Sequence, residues 1–141
     1  MKLNLGCGID FSDELIGLDI YDHGQQHIGF DMEKDKIPYD DNSVDYIKAN
    51  HSIEHVKDVK NIMNEAWRVL KAGGEFEIKV PHGLWAGSSK PVHHQWITEC
   101  WFDFFRKGKT RIYGYKRWNI KILELTNNDA EVHCIMTPYG K

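Results

Sequence analysis

The stretch that decides the fold is residues 3–19, which read LNLGCGIDFSDELIGLD. The apolar residues 3–5 predict a short strand that ends at Gly6-Cys7-Gly8, and residues 16–20 predict a second strand. Glycines after a strand let the backbone approach a ligand closely, and Asp19 stands where a carboxylate can accept hydrogen bonds from two ribose hydroxyls. The third glycine of a dinucleotide pattern is absent, and no Lys or Arg follows closely, so we do not expect a pyrophosphate. The stretch therefore predicts a nucleoside site at the edge of a sheet.

The rest of the chain continues to alternate strand-like and helix-like segments. Further strands are predicted over residues 27–30, 44–49, 76–80, 118–123 and 132–136. Apolar residues at helical spacing predict helices over residues 59–70 and 96–105, and make the aromatic residues of the second segment, Trp96 included, core residues. Asp58 is predicted to cap the first helix and Gly73-Gly74 to stop it, and Gly108 is predicted to end the second.

This order of elements predicts an α/β fold around a mostly parallel sheet, with a C-terminal hairpin. The 141 residues are the size of a single domain, residues 1–141. About eight residues separate Gly8 from the second strand, whereas a parallel crossover usually takes a dozen or more. We therefore expect reduced helices and thin cover over one face of that sheet edge.

Composition excludes several classes of protein. The chain is 41% hydrophobic and 28% charged, as expected for a soluble globule, and no apolar run approaches the length of a membrane span. The first residues do not form a basic-then-apolar leader. Three cysteines, at Cys7, Cys100 and Cys134, have no paired spacing and suit a reducing compartment. These observations predict a cytoplasmic protein that has no membrane partner.

Five further segments follow the glycine loop in a fixed order. They are Phe30-Asp31-Met32, Ile37-Pro38-Tyr39, Asn42-Ser43-Val44-Asp45, Ser52-Ile53-Glu54-His55 and Arg68-Val69-Leu70-Lys71-Ala72-Gly73-Gly74. Over about residues 2–82 this series resembles the class I S-adenosylmethionine-dependent methyltransferases, in particular small predicted ones with LNLGCG and RVLK-x-GG motifs. The resemblance implies a three-layer Rossmann-like fold with a seven-stranded sheet, S-adenosylmethionine as cofactor, and methyl transfer to an oxygen or nitrogen nucleophile of an unidentified acceptor.

The resemblance also implies a cofactor site. Its residues are Asn4, Gly6, Cys7, Gly8, Asp19, Ile20, Asp31, Met32, Asn50 and His51. Asp19 is expected to bind the ribose, Asp31 the adenine amino group, and Met32 the face of the ring. Asn4 stands where the family usually carries an acid, so weak cofactor affinity is expected in an isolated monomer. A cationic sulfonium without phosphates also suits residues 1–58, which carry 13 acidic and 5 basic side chains.

The acceptor side is expected among the histidines that follow strand ends. Methyl transfer needs alignment above all, and it needs a base only when the acceptor must lose a proton. Histidine suits that role near neutral pH. The candidate bases are His51, His82 and His94, and the candidate acceptor-binding residues are Trp85 and His93. For each histidine, a structural or exposed role is the alternative.

A metal site is a second interpretation of the same histidines. His51 and His55 have i, i+4 spacing, and His82, His93 and His94 could complete a ligand set. The sequence His-Ser-Ile-Glu-His is not the zincin pattern His-Glu-x-x-His, and its second histidine already belongs to the methyltransferase pattern. We therefore expect no metal site.

A basic stretch over residues 106–121 leaves further functions open. It contains seven Lys or Arg side chains and no acid, interleaved with Tyr113, Tyr115 and Trp118. Such a stretch could bind a nucleic acid, a phosphorylated acceptor or a partner subunit, or it could be a solvated loop and edge strand. The alternative functions are a non-catalytic S-adenosylmethionine-binding or partner-dependent subunit and a nucleic-acid-binding module. Thin cover over the first strands makes a homodimer an alternative to a monomer.

Overall fold

The structure is a computed structural model that describes residues 1–10, 12–21, 27–106 and 108–141. Its strands are β1 (Lys2–Leu5), β2 (Ile16–Asp19), β3 (His27–Gly29), β4 (Val44–Asn50), β5 (Leu70–Pro81), β6 (Trp118–Thr126) and β7 (Glu131–Pro138). They form one sheet in the order β3-β2-β1-β4-β5-β7-β6. Strands β1 to β5 pair in parallel, and β7 is antiparallel to both β5 and β6. The predicted fold class is confirmed, including the C-terminal hairpin.

Two α-helices occur in the described residues, α1 (Lys60–Val69) and α2 (Glu99–Arg106). Short 3-10 turns span Ile53–His55, Ala86–Ser88 and Gly108–Tyr113. Alternate residues of the central strands are buried, as period-2 patterning requires. One cluster joins this row, which includes Ile47, Ile78 and Cys134, to the apolar sides of α1 and α2. Both helices therefore pack on the same face of the sheet.

The opposite face of the sheet is polar. Its residues in β4, β5 and β7 include Tyr46, Lys48, Glu77, Lys79 and His133, all partly exposed. The Tyr46 hydroxyl donates to Glu77, and burial together with that carboxylate raises the pKa of Tyr46. His133 lies 2.9 Å from the same Glu77. Neither described α-helix covers this face, so the described α-helices add one layer to the sheet, where the resemblance implies two. The short connections around β2 predict reduced helices there.

The first helix ends earlier than its glycines predict. It stops at Val69, and Leu70 is already extended and paired with Val44, so Gly73-Gly74 lies inside β5. The reason is tertiary: the amides of Asn42 and Ser43 donate to the last helical carbonyls, at 3.1 and 2.8 Å. These bonds satisfy the helix end without a glycine cap. Asp58 does act at the other end, where its carboxylate accepts from the Lys60 amide at 2.9 Å.

The prediction for Trp96 is wrong. The second helix begins at Glu99, and Trp96 is 67% exposed rather than part of the core. Backbone contacts explain the difference, because the Gln95 amide donates to Glu54 and the Ile97 carbonyl accepts from Gly83. The segment before the helix is thus held as an irregular chain. The helix itself ends at Arg106, just before the predicted stop at Gly108.

Arg68 ties α1 to the loop that precedes β4. Its guanidinium donates to both carboxylate oxygens of Glu65, to Asp41, and to the carbonyls of Ile37 and Tyr39, all within 2.9 Å. The Glu65 carboxylate in turn accepts from the Ile37 amide at 2.8 Å. The carboxylates of Glu65 and Asp41 raise the pKa of Arg68, so it is charged at any working pH.

Arg68→Met will lower the free energy of unfolding by about 3 kcal/mol, because it leaves the largely buried Glu65 carboxylate and two carbonyls without their donor. Urea denaturation measures the change. The matched control is Lys71→Met, which removes a half-exposed ion pair with Asp45 and is expected to cost less than about 1 kcal/mol. Equal losses in the two variants would contradict the role assigned to Arg68.

Neither described α-helix has the length and the apolar character needed to cross a membrane. The three cysteines are free thiols, with Cys7 and Cys134 buried and Cys100 exposed. Burial raises the pKa of Cys134 to about 12. Cys134 is therefore a protonated core residue.

Candidate functional site

The glycine loop leaves β1 at the carboxyl edge of the sheet. Gly6 and Gly8 have φ of +63° and +51°, a left-handed conformation that glycine adopts without steric cost. The Gly6 amide donates to the Leu18 carbonyl at 2.7 Å, which holds the loop against β2. A Cβ on Gly6 would lie 2.4 Å from the Ser52 Cβ and 3.4 Å from the Met32 methyl. Position 6 therefore admits only glycine, and Met32 lies beside the loop.

Asp19 occupies the place that the sequence predicts for it, at the end of β2 and next to the glycine loop. Its carboxylate accepts from the Gly8 amide at 2.8 Å and from the Tyr21 amide at 2.9 Å. The residue is only 8% exposed. A carboxylate oxygen has more than one acceptor site, so Asp19 can still accept hydroxyl hydrogens. The two backbone bonds hold it in one orientation for that purpose.

Three other predicted cofactor residues lie around this loop. The Asn4 side chain is buried and donates to the Asp10 carbonyl at 3.1 Å, a hydrogen bond that joins β1 to the end of the glycine loop. Cys7 packs against Gly17, where a Cβ would approach its sulfur to 2.8 Å. Burial, followed by the Asp19 charge, raises the pKa of Cys7. Ile20 is 58% exposed directly after Asp19.

Asp31 lies in the turn after β3. One carboxylate oxygen accepts from the Glu33 amide at 2.9 Å, and the other is 3.3 Å from the Lys34 ammonium. The Asp31 amide donates to Asp35 at 2.7 Å. The turn thus places a partly exposed carboxylate next to Met32, and adenine binding by these two residues stays a prediction.

The end of β4 carries the exposed Asn50 and then His51, which has φ of +51°. The His51 amide donates to the Lys79 carbonyl at 2.8 Å. One ring nitrogen is 2.6 Å from the Glu131 carboxylate, and the other is 3.7 Å from Glu54. The imidazole is therefore held between two carboxylates at the carboxyl edge of the sheet.

Glu54 is the most deeply buried acid of this region. Its side chain is 3% exposed, and its Oε2 atom has no hydrogen-bond partner among the described residues. Burial raises the pKa of Glu54. A buried carboxylate oxygen without a hydrogen bond is costly, so the Oε2 atom of Glu54 requires a physical explanation.

His82 is separate from that group. Its Nδ1 accepts from the Leu84 amide at 3.2 Å, and its Nε2 lies 3.0 Å from the Glu99 carboxylate. A backbone hydrogen bond and then His82 lower the pKa of Glu99. With both ring nitrogens engaged, His82 joins the segment after β5 to the start of α2.

The remaining acceptor-side residues lie on the segment between β5 and α2. His93 lies against His55, with ring centroids 4.8 Å apart. His94 is exposed, but its amide donates to the Glu54 carbonyl at 2.7 Å. Trp85 is 47% exposed, and its indole packs on Gly87. The fold thus brings His93 close to the turn after β4 and leaves His82 with Glu99.

Sequence reasoning did not select Glu54 or Glu131 as site residues. Glu54 belongs to the Ser52-Ile53-Glu54-His55 motif. The available signal was an acid placed between the apolar residues Ile53 and Val56, which are both buried in the structure. Glu131 has no local signal. Antiparallel pairing places it opposite Pro81, and thereby beside His51.

A cavity of about 530 Å³ lies on the polar face of the sheet, next to Gly17 and His27. It occupies the face where a crossover helix packs in a fuller α/β fold. Cys7 of the glycine loop also lines this cavity, so the cavity borders the candidate site, whereas Asp19 and Asp31 are not among its lining residues.

The strand order, the glycine loop and the acid at the end of β2 define an α/β protein whose carboxyl sheet edge carries the residues predicted for a nucleoside site. A family model described as a methyltransferase domain matches residues 3–78. The chain belongs to this methyltransferase family, and the resemblance to class I S-adenosylmethionine-dependent methyltransferases is confirmed. The cofactor that the family and the fold imply is S-adenosylmethionine.

Solved structures share the fold at low sequence identity. A chain of the complex between the Haloferax volcanii Trm112 methyltransferase activator and a proposed methyltransferase is 13% identical, with a TM-score of 0.73, and the match covers 97% of this chain and 81% of that one. A SAM-dependent methyltransferase from Aquifex aeolicus is 14% identical, with a TM-score of 0.63 and coverage of 95% and 80%. An S-adenosylmethionine-dependent methyltransferase from Mesorhizobium loti is 15% identical, with a TM-score of 0.63 and coverage of 96% and 89%.

Proposed function

We propose that this protein transfers the methyl group of S-adenosylmethionine to an oxygen or nitrogen nucleophile. The observation that carries the proposal is the Asp19 carboxylate, which two backbone amides orient beside a loop where position 6 has no room for a side chain. A ribose needs this pairing of a fixed acceptor and a closely approachable backbone.

The described residues fit the cofactor. Asp19 would accept from the ribose hydroxyls, Asp31 from the adenine amino group, and Met32 would contact the ring. The loop lacks a basic anion cradle, which suits a cofactor that has no phosphate. When bound, S-adenosylmethionine supplies a methyl group on a cationic sulfur.

His51 is the best-placed of the three candidate bases. A proton taken up by its imidazole would be stabilised by Glu131, whose carboxylate is 2.6 Å away. His82 already engages both ring nitrogens at hydrogen-bond distance, and the His94 ring has no carboxylate partner among the described residues. Trp85 and His93 remain candidates for contact with the acceptor. The chain's main task is alignment of the acceptor with the sulfonium.

Isothermal titration with S-adenosylhomocysteine tests the proposal. We expect a single saturable site, and absence of binding at millimolar ligand would reject the assignment.

In assays that follow S-adenosylhomocysteine release over a panel of small hydroxyl and amine acceptors, His51→Asn is expected to lower kcat about 10²–10⁴-fold. Its affinity for S-adenosylhomocysteine should stay close to wild type. Equal losses of kcat and affinity would contradict the role of His51 as base.

A partner-dependent subunit is the second candidate function. The observation that favours it is the polar sheet face, which neither described helix covers. The similar chain from Haloferax volcanii also comes from a complex with a methyltransferase activator. Cofactor binding without turnover on the whole acceptor panel would support this candidate. Light scattering at two concentrations tests the alternative that a second copy of the chain is the partner.

Several basic side chains of the stretch 106–121 already contact other residues of the protein. Arg106 pairs with Asp103 and Lys121 with Glu75, while Lys116 and Arg117 lie over the rings of Trp67 and Tyr139. Nucleic-acid binding through this stretch stays a prediction. Salt-dependent RNA binding that is lost when Arg111, Lys116 and Arg117 are neutralised would support it.

A further inference from the structure

A buried carboxylate and two histidine rings meet at the turn Ile53–His55. One ligand atom from each of Glu54, His55 and His93 lies within 4.8 Å of the other two. The Glu54 side chain is 3% exposed, and its Oε2 atom has no hydrogen-bond partner in the described part of the chain. The other oxygen of the same carboxylate, Oε1, lies 3.8 Å from the His55 Nε2 atom and 3.7 Å from the His51 Nδ1 atom, both beyond hydrogen-bond distance.

Both imidazoles are oriented by bonds on their far side. The His55 Nδ1 atom is 3.0 Å from the Val92 carbonyl, and the His93 Nδ1 atom is 2.8 Å from the Ser88 carbonyl. A carbonyl oxygen can only accept, so each Nδ1 carries the hydrogen and each neutral ring keeps its Nε2 lone pair. Metal-bound histidines are held in this way, with the second ring nitrogen donating to a carbonyl or a carboxylate.

The backbone holds the two halves of the cluster together. The amides of His94 and Gln95 donate to the Glu54 carbonyl, at 2.7 and 3.1 Å. The Gln95 side chain donates to the carbonyls of Val56 and Lys57, at 3.0 and 2.9 Å. The segment that carries His93 is thereby attached to the turn that carries Glu54 and His55. Backbone and side-chain hydrogen bonds therefore fix the distance between the two segments that carry the cluster.

We propose that Glu54, His55 and His93 bind one divalent transition-metal ion. Two imidazoles and one carboxylate form a donor set that suits Zn²⁺, at bond lengths of about 2.0–2.2 Å. Donors that lie within 4.8 Å of one another need to close by at most about 1.5 Å to reach the spacing of a tetrahedral site. Three protein ligands leave a fourth position for water or for an acceptor atom.

This proposal goes against the sequence expectation of no metal. Spacing alone pairs His51 with His55, but the fold directs His51 to Glu131 and pairs His55 with His93 instead. The ion would lie one turn beyond β4, next to the candidate base. If the protein is a methyltransferase as proposed, an oxygen atom of the acceptor could bind the ion at its fourth position.

Zinc titration of metal-free protein tests the site. The full chain is dialysed against a chelator, freed of chelator and titrated with ZnCl₂ by calorimetry. We expect one equivalent, and the Co²⁺ form should show the intense visible d–d absorption of a tetrahedral ion. His93→Ala and the isosteric Glu54→Gln should each weaken Zn²⁺ binding by about 100-fold or more, since second-shell changes alone cost about 10–100-fold.

The matched control is His94→Ala, which removes the adjacent exposed histidine and should leave Zn²⁺ affinity within about threefold. Thermal unfolding without metal verifies that each variant is folded. Wild-type binding below one equivalent, equal affinity in wild type and His93→Ala, or an equal loss in His94→Ala would each overturn the proposal. S-adenosylhomocysteine titration of the same samples separates the two proposals, because cofactor binding without zinc binding rejects only the metal site.

Discussion

Asp19→Ala will weaken the binding of S-adenosylhomocysteine at least about a hundredfold. Hydrogen bonds to a charged group contribute about 1.5–3 kcal/mol each, and the ribose would donate two of them to this carboxylate. A loss of about 3 kcal/mol corresponds to slightly more than two powers of ten in the dissociation constant. Calorimetric titration of wild type and variant measures the ratio.

Two further variants sharpen that experiment. Asp19→Asn keeps one acceptor oxygen, so its affinity should fall between wild type and Asp19→Ala. Asp40→Ala removes an exposed turn carboxylate and should bind like wild type. Asp19→Ala also leaves the amides of Gly8 and Tyr21 without their acceptor, so titrations are run well below its unfolding midpoint. Binding within threefold of wild type would remove Asp19 from the site.

Gly6→Ala will lower the free energy of unfolding by about 3 kcal/mol. The left-handed backbone at φ +63° costs an alanine roughly 1–2 kcal/mol. The added methyl group would also lie 2.4 Å from the Ser52 Cβ, so β1 and the turn after β4 must move apart, and overpacking of this kind costs about 1–3 kcal/mol. Urea denaturation measures the loss, and the displaced loop should also bind S-adenosylhomocysteine more weakly.

Gly140→Ala separates the two causes. Gly140 also has a positive φ, +82°, but a Cβ there would meet nothing within 4 Å, so only the backbone cost of about 1–2 kcal/mol is expected. Ser52→Gly removes the colliding Cβ, and combining it with Gly6→Ala should restore more than about 1 kcal/mol in a double-mutant cycle. Additive losses in the cycle would show that the close approach of Gly6 to Ser52 does not limit stability.

Local chemistry explains why the relative positions of several candidate-site residues could be predicted. Gly6, Gly8 and Asp19 lie within one strand-loop-strand unit, and their relation depends on short segments with strong backbone preferences. Met32 follows the next strand, and parallel strands bring their carboxyl ends to the same edge. The structure accordingly places Met32 beside Gly6 and the Asp19 carboxylate on the Gly8 amide.

The errors have a different origin. Gly73-Gly74 has the composition of a helix stop, but the amides of Asn42 and Ser43 end α1 four residues earlier. Trp96 has helical spacing, but hydrogen bonds from Gln95 to the turn after β4 hold that segment out of the helix. In both places hydrogen bonds to a distant segment override the local preference, because such a preference is a weak prior that tertiary contacts can outweigh.

By itself, the sequence determined the strand segments, the C-terminal hairpin, the glycine loop and the carboxylate beside that loop, because each depends on neighbouring residues or on a motif of fixed order. Only the tertiary structure decided that both described helices share one face, that Glu131 reaches His51, and that His93 meets Glu54 and His55. These contacts join residues from distant segments. Spacing along the chain carries no information about them, because strand pairing and loop hydrogen bonds set the distances.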